Sequence, residues 1–239
     1  MDRLGLLASA TQLIRGPTLR KEVSYSVFRR QSGSGISAQY KTVTGMTTNL
    51  RSYVDAMLKS IEPQSKILVF CLSKSDAEVI AKEFNALFCH AGLKKDERIN
   101  NLKRFRTEDV RILSCTSILS LGLDLGSVAV VIHFGAPRTL IDFSQESGRV
   151  GRKGQTSYCT MFVDNIPKGK ITALGIQGIE SYVEEDICRR IDLGKSDGVA
   201  HQLACRHLLP AALCDLCMWK VGMVPQVVEF CCILRVEIL

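Results

Sequence analysis

Two kinds of periodicity alternate along this chain. Short runs that are apolar on both faces have strand length: KILVFCLS (66–73), VRILSCT (110–116), SVAVVIHFG (127–135) and SYCTMFV (157–163). SYSVF (24–28) is another. Between them, apolar residues recur three and four positions apart. Leu50, Tyr53, Val54, Met57, Leu58 and Ile61 predict a helix over 48–61. Ala77, Val79, Ile80, Phe84 and Leu87 predict one over 75–87, opened by Ser73 and Asp76. A charged helix over 94–106 and a further one over 138–148 follow. Phe88–Leu93 reads as a short connecting segment, and 31–38 as a Gly/Ser loop.

Strands without polar alternation, separated by helices, predict an α/β domain. Its sheet is mainly parallel and flanked by helices. Ligands of such sheets gather beyond the carboxyl ends of the strands. Here those loops are 72–76, 89–93, 115–126 and 135–138. After residue 168 the pattern breaks. A helix over 178–191 carries Ile179, Tyr182, Val183, Ile187 and Ile191, and cysteines follow. Four segments result: a lead-in or linker at 1–20, the α/β lobe at 21–167, a small helical unit at 168–218, and an unassigned apolar tail at 219–239.

A length of 239 residues fits one full-size core and a small appendage. The 46% hydrophobic and 23% charged content is globular and too apolar for disorder. No run approaches the roughly 18 apolar residues of a membrane span. Asp2 and Arg3 at the start argue for a helix or linker over a signal peptide. A membrane partner and secretion are therefore disfavoured. The net charge of +7 suits a polyanionic partner such as nucleic acid.

Two constellations carry chemistry. The first is Gln145-Glu146-Ser147-Gly148-Arg149-Val150-Gly151-Arg152-Lys153-Gly154. Arginines three apart, held by glycines, can turn two permanently charged forks toward one anion. The second is the late cysteines. Cys188, Cys205 and the C-x(2)-C pair Cys214 and Cys217 offer four thiolates, enough for a tetrahedral zinc site. His201 and His207 are alternative fourth ligands, and Cys231-Cys232 is too adjacent to chelate well. Cys71, Cys89, Cys115 and Cys159 sit in or beside apolar runs and read as buried, inert thiols.

In order and spacing these stretches resemble the second RecA-like lobe of RecQ-family ATP-dependent DNA helicases. Q-E-S-G-R-x-G-R-x-G looks like that family's sixth motif, and Thr116 through Asp124 with the following V-I-H strand looks like the fifth. ILVFCLSKSDAEVIAKEF looks like the fourth, with HAGL (90–93) as its companion loop, and Arg15-Gly16-Pro17-Thr18 through Tyr25 resembles the opening of the lobe. C-R-R at 188–190 resembles the start of the family's zinc-binding subdomain, in a spacing closer to fungal RecQ-like chains.

The resemblance implies a single RecA-like lobe with a small helical zinc-binding appendage. It implies ATP with Mg bound between this lobe and a first lobe, and DNA, single-stranded or forked, as partner. Arg152 matches the arginine finger, Arg149 its neighbour and Gln145 the glutamine that opens the motif. Gly122, Asp124 and Gly148 match the nucleotide side. Ser73, His90 and Thr116 match positions near the nucleic-acid backbone, and Cys188, Cys205, Cys214 and Cys217 match the zinc ligands. The family activity is 3′–5′ DNA unwinding, in the nucleus for fungal members.

These 239 residues hold no G-x(4)-G-K-[ST] phosphate loop and no D-E-x-H string. Gly194-Lys195-Ser196 has Arg189 where the leading glycine belongs and follows a helix. The chain by itself is therefore expected not to turn over ATP, and to need a first lobe in cis or in trans. The alternative is a non-catalytic nucleic-acid-binding or scaffold module.

Overall fold

The computed structural model describes residues 20–29, 38–117, 125–151, 154–163, 179–184, 186–196, 204–208 and 212–223, with the side chains of 38–46, 195, 196 and 206 excepted. In chain order the elements are β1 (Val23–Arg29), α1 (Ala38–Ser60), β2 (Lys66–Cys71), α2 (Lys74–Glu83), β3 (Leu87–Cys89), α3 (Lys95–Thr107), β4 (Ile112–Cys115), β5 (Val128–Phe134), α4 (Leu140–Ser147) and β6 (Ser157–Val163). Then come α5 (Ile179–Glu184), α6 (Arg189–Ser196), a 3-10 turn at Cys205–His207, and α7 (Asp215–Lys220).

The strands form one sheet in the order β1-β6-β5-β2-β4-β3. Every pairing is parallel. β2 and β5 are buried along their whole length, which explains their unbroken apolar sequences. Side chains alternate strictly between the two faces. Ile67, Val69 and Cys71 face one core with Val130, Ile132 and Phe162, covered by Leu50, Tyr53, Val54 and Met57 of α1 and Ala77 and Ile80 of α2. Leu68 and Phe70 face the other with Leu113, Val131 and Met161, covered by Phe105 of α3 and by Leu140 and Phe143 of α4.

Three boundaries differ from the sequence pattern. The helix predicted over 48–61 begins ten residues earlier, at Ala38, where the predicted Gly/Ser loop ends. The helix predicted to reach residue 87 ends at Glu83. Asn85 takes a left-handed backbone (φ 48), while Ala86 N donates to Ala81 O and Asn85 N to Lys82 O. This is a Schellman closure, and it releases β3 where a connecting segment was predicted. The helix predicted over 178–191 is two helices, α5 and α6, with Cys188 immediately before α6.

The late elements share a core with the lobe. Cys188, Leu193, Ala204, Cys205, Cys214 and Leu216 lie in the same apolar cluster as Val23 and Tyr25 of β1. Segment 212–215 covers the free edge of β1. Ala212 N donates to Lys21 O (2.8 Å), Ser24 Oγ to Leu213 O (2.7 Å) and Val27 N to Asp215 Oδ2 (3.1 Å). A parallel edge that would otherwise recruit another chain is thereby closed.

Leu68 is fully buried at the centre of the sheet. Leu68→Ala is expected to lower stability by about 2–5 kcal/mol, read as a shift in the urea midpoint at unchanged slope.

Candidate functional site

A parallel sheet puts every strand's carboxyl end on one edge. The loops after β2, β3, β4 and β5 therefore converge there. Ser73 caps α2: its Oγ accepts from Asp76 N (3.0 Å) and donates to Asp76 Oδ2 (2.7 Å). Thr116 follows β4, and its N–H donates to Cys89 O (3.2 Å), tying that exit to the end of β3. His90 is buried. Its Nδ1 accepts from Gly92 N (3.1 Å), so the ring proton lies on Nε2 and is donated to Glu78 Oε1 (2.8 Å). Both ring nitrogens are engaged, so His90 acts by shaping the 90–93 loop.

β5 leads through Gly135 (φ 98) to Thr139, which caps α4 through Asp142 N. α4 ends at Gly148 and delivers the glycine-arginine turn. Gln145 is exposed, while Arg149 is only 5% exposed and Val150 is buried. Gly151 takes φ +68, in the region that favours glycine. Arg152, Gly122, Asp124 and His201 lie outside the described residues.

Sequence reasoning missed what holds this turn to the sheet. His133, in the middle of β5, faces Glu146 of α4 with Nε2 to Oε2 at 3.0 Å, both side chains buried. The ring of His133 lies between Phe70 (5.5 Å, stacked) and Phe143 (4.8 Å, tilted). Burial raises the thiols of the sheet: Cys89 is pushed up to about 11, and Cys115 and Cys159 are raised well above the ordinary value. These thiols are inert, as their apolar setting implied.

The four late cysteines converge. Their sulfurs lie within 4.8 Å of one another, and all four residues are buried. Cys188 Sγ is 3.5 Å from Cys205 Sγ and 3.9 Å from Cys214 Sγ. Four thiolates about 2.3 Å from a tetrahedral zinc would stand about 3.8 Å apart, so the donor set fits. Hydrogen bonds from Cys205 and Cys214 hold the Cys188 thiol well below its usual range, which favours its thiolate. His207 is exposed and is not part of this set. Gly194-Lys195-Ser196 forms the last residues of α6 and does not join a strand to a helix.

The family described as helicase conserved C-terminal domain matches residues 49–154. The ATP-dependent helicase SGS1 of Saccharomyces cerevisiae is 29% identical over 165 residues, covering 66% of this chain and 11% of that protein. The ATP-dependent DNA helicase Q-like 5 of Arabidopsis thaliana is 34% identical over 122 residues (48% and 13%). The ATP-dependent DNA helicase RecQ of Pasteurella multocida is 28% identical over 171 residues (63% and 26%). Residues 49–154 thus resemble a helicase C-terminal domain, and the proteins this chain is similar to include RecQ-family helicases. The match spans between about a tenth and a quarter of those relatives' length. Among the described residues no helix is long and apolar enough to cross a membrane.

Truncating one partner of the His133–Glu146 pair strands the other's polar atoms in the core. His133→Leu and Glu146→Leu are each expected to destabilise by about 1–3 kcal/mol. The double variant should cost less than their sum by at least about 0.5 kcal/mol in a chemical-denaturation cycle.

Proposed function

We propose that this chain acts as the second motor lobe of a RecQ-like 3′–5′ DNA helicase, working in the nucleus. The observation that carries this reading is a pairing. A helicase C-terminal domain is followed by four buried, convergent cysteines that pack on its first strand. ATP with its magnesium binds between this lobe and a first lobe. Gly122, Asp124 and Gly148 line the nucleotide side, and Gln145 opens the turn toward it. Arg152 reaches the transferring phosphoryl group, where a permanent positive charge stabilises the charge that develops in the transition state. Arg149, its neighbour in the motif, adds a second permanent positive charge toward the same anion. Ser73, Thr116 and the loop shaped by His90 meet phosphates of the DNA strand through hydroxyls and backbone amides, contacts that position without reading bases.

Residues 168–218 form the zinc-binding unit, with Cys188, Cys205, Cys214 and Cys217 as ligands. The metal supplies a structural cross-link between the helices and performs no step of the reaction. A second reading, a scaffold that binds nucleic acid without catalysis, draws on the absence of a phosphate loop from these 239 residues. Both readings need the basic lobe. They part on whether Arg152 acts on ATP.

The decisive assay is ATP turnover with single-stranded DNA, by the chain alone and mixed with the first lobe of a RecQ-type helicase. No DNA-stimulated turnover is expected from the chain alone. Turnover in the mixture should fall by about 10³-fold or more in Arg152→Ala. Arg152-dependent turnover by the chain alone would overturn the need for a first lobe. A mixture indifferent to Arg152→Ala would favour the scaffold.

Cobalt(II) tests the cysteines separately. Thiolate-to-metal charge-transfer bands at one metal per chain are expected, and Cys214→Ser should weaken them and lower Tm. A chain that gives no such bands overturns the zinc assignment.

A further inference from the structure

One short segment, Arg20–Val23, touches both the cysteine cluster and the glycine-arginine turn. On the cluster side stands Arg190, the largest fully buried side chain among the described residues. Its Nε donates to Cys205 Sγ at 3.1 Å. Its Nη1 donates to Arg20 O, and its Nη2 to Lys21 O (3.3 Å), Val23 O (2.6 Å) and Ala212 O (2.7 Å). The guanidinium lies over the Tyr25 ring at 5.4 Å. A rigid planar fork with donors aimed at several backbone oxygens fixes those oxygens relative to one another. The path of residues 20–23 is therefore set by the same side chain that touches the cluster.

On the turn side, Arg20 Nη1 donates to Gly148 O at 2.9 Å, and its Nε donates to Glu22 Oε1 at 2.9 Å. Glu22 lies beneath Gly151, where an added Cβ would come within 2.8 Å of Glu22 Cγ. The two glycines that bracket Arg149 thus each rest on a side chain of the segment. Arg20 and Glu22 are partly exposed, so neither is there to fill a core.

We propose that Arg20 is a positioning residue for the Gly148–Gly151 turn and that Arg190 sets Arg20, so that the cysteine unit and the arginine turn move as one body. Its consequence for catalysis rests on the reading that this turn faces nucleotide. The relay itself stands on the contacts alone. Without Arg20 the turn keeps its sequence and its His133–Glu146 anchor but loses the bond on Gly148 O.

The test reads the turn directly, in the 239-residue chain labelled with [15N]glycine. In Arg20→Ala the Gly148 and Gly151 amide resonances should move and their hydrogen exchange should quicken about tenfold, as for a locally opened segment. Gly92, on a different loop, should stay in place. Arg20→Lys keeps a donor for Gly148 O and should restore at least half of the shift. Arg190→Gln should reproduce the Arg20→Ala spectrum at the turn and add nothing further in the Arg20→Ala background. Unmoved turn glycines in Arg20→Ala, or a general shift that includes Gly92, would overturn the proposal. So would full additivity of the two variants. If Arg190→Gln does not fold, Arg190→Lys takes its place in the cycle.

In the mixture with a first lobe, Arg20→Ala should lower kcat about tenfold with little change in KM for ATP, the mark of a group misplaced in the transition state. A turn that loosens with unchanged Arg152-dependent turnover would sink the nucleotide-facing reading and leave the relay standing.

Discussion

The structure depends on a constraint of strand direction. All observed pairings are parallel, so each strand must be followed by a crossover long enough to return the chain to its start. Helices α1, α2, α3 and α4 lie in these crossovers and keep β2 and β5 dry on both faces. They also deliver the loops after β2, β3, β4 and β5 to one edge. The candidate site is thus a product of topology before it is a product of side-chain chemistry. Ser73, His90 and Thr116 reach the same edge from β2, β3 and β4 because all three strands point the same way.

Polar groups inside the domain are spent on fixing what those loops look like. His133 and Glu146 tie the last turn of α4 to the centre of the sheet. Lys66 does comparable work at the opposite edge, donating from Nζ to the carbonyls of Phe105, Glu108 and Val110 and so closing the end of α3. Arg111 holds Leu58 O, Glu62 O and Ser65 O after α1. For Lys66 and Arg111 a buried or half-buried charge is satisfied by several acceptors, the condition under which burial is tolerable. The candidate edge is held by a side-chain pair, whereas the opposite edge is held through backbone oxygens.

Much of this was legible because doubly buried strands leave a signal that survives without an alignment. VAVVIHF and ILVFC could be little else, and the interval between them set the helices. β3 was not legible: three residues give no period, and the Schellman turn at Asn85 that creates it looks like helix in the apolar spacing of Phe84 and Leu87. The break between α5 and α6 was hidden in the same way, since Ile187 and Ile191 continue a helical stripe while Cys188 turns toward the cluster. The four cysteines were legible by type and spacing. Arg190 was not, because its acceptors are backbone oxygens far away in sequence, and neither spacing nor composition encodes them.

The position of β1 has a consequence for how the chain is made. Ser26 meets Thr160 of β6 across a sequence separation of 134, and Arg190 meets Val23 across 167. On a ribosome adding about 5–20 residues per second, β1 waits many seconds for β6, its strand partner among the described residues, and longer for the arginine that seats it. β2 to β5 can assemble in that interval with neighbours already synthesised. The sheet therefore grows outward from its middle, and β1 joins it after the strands that follow it in the chain.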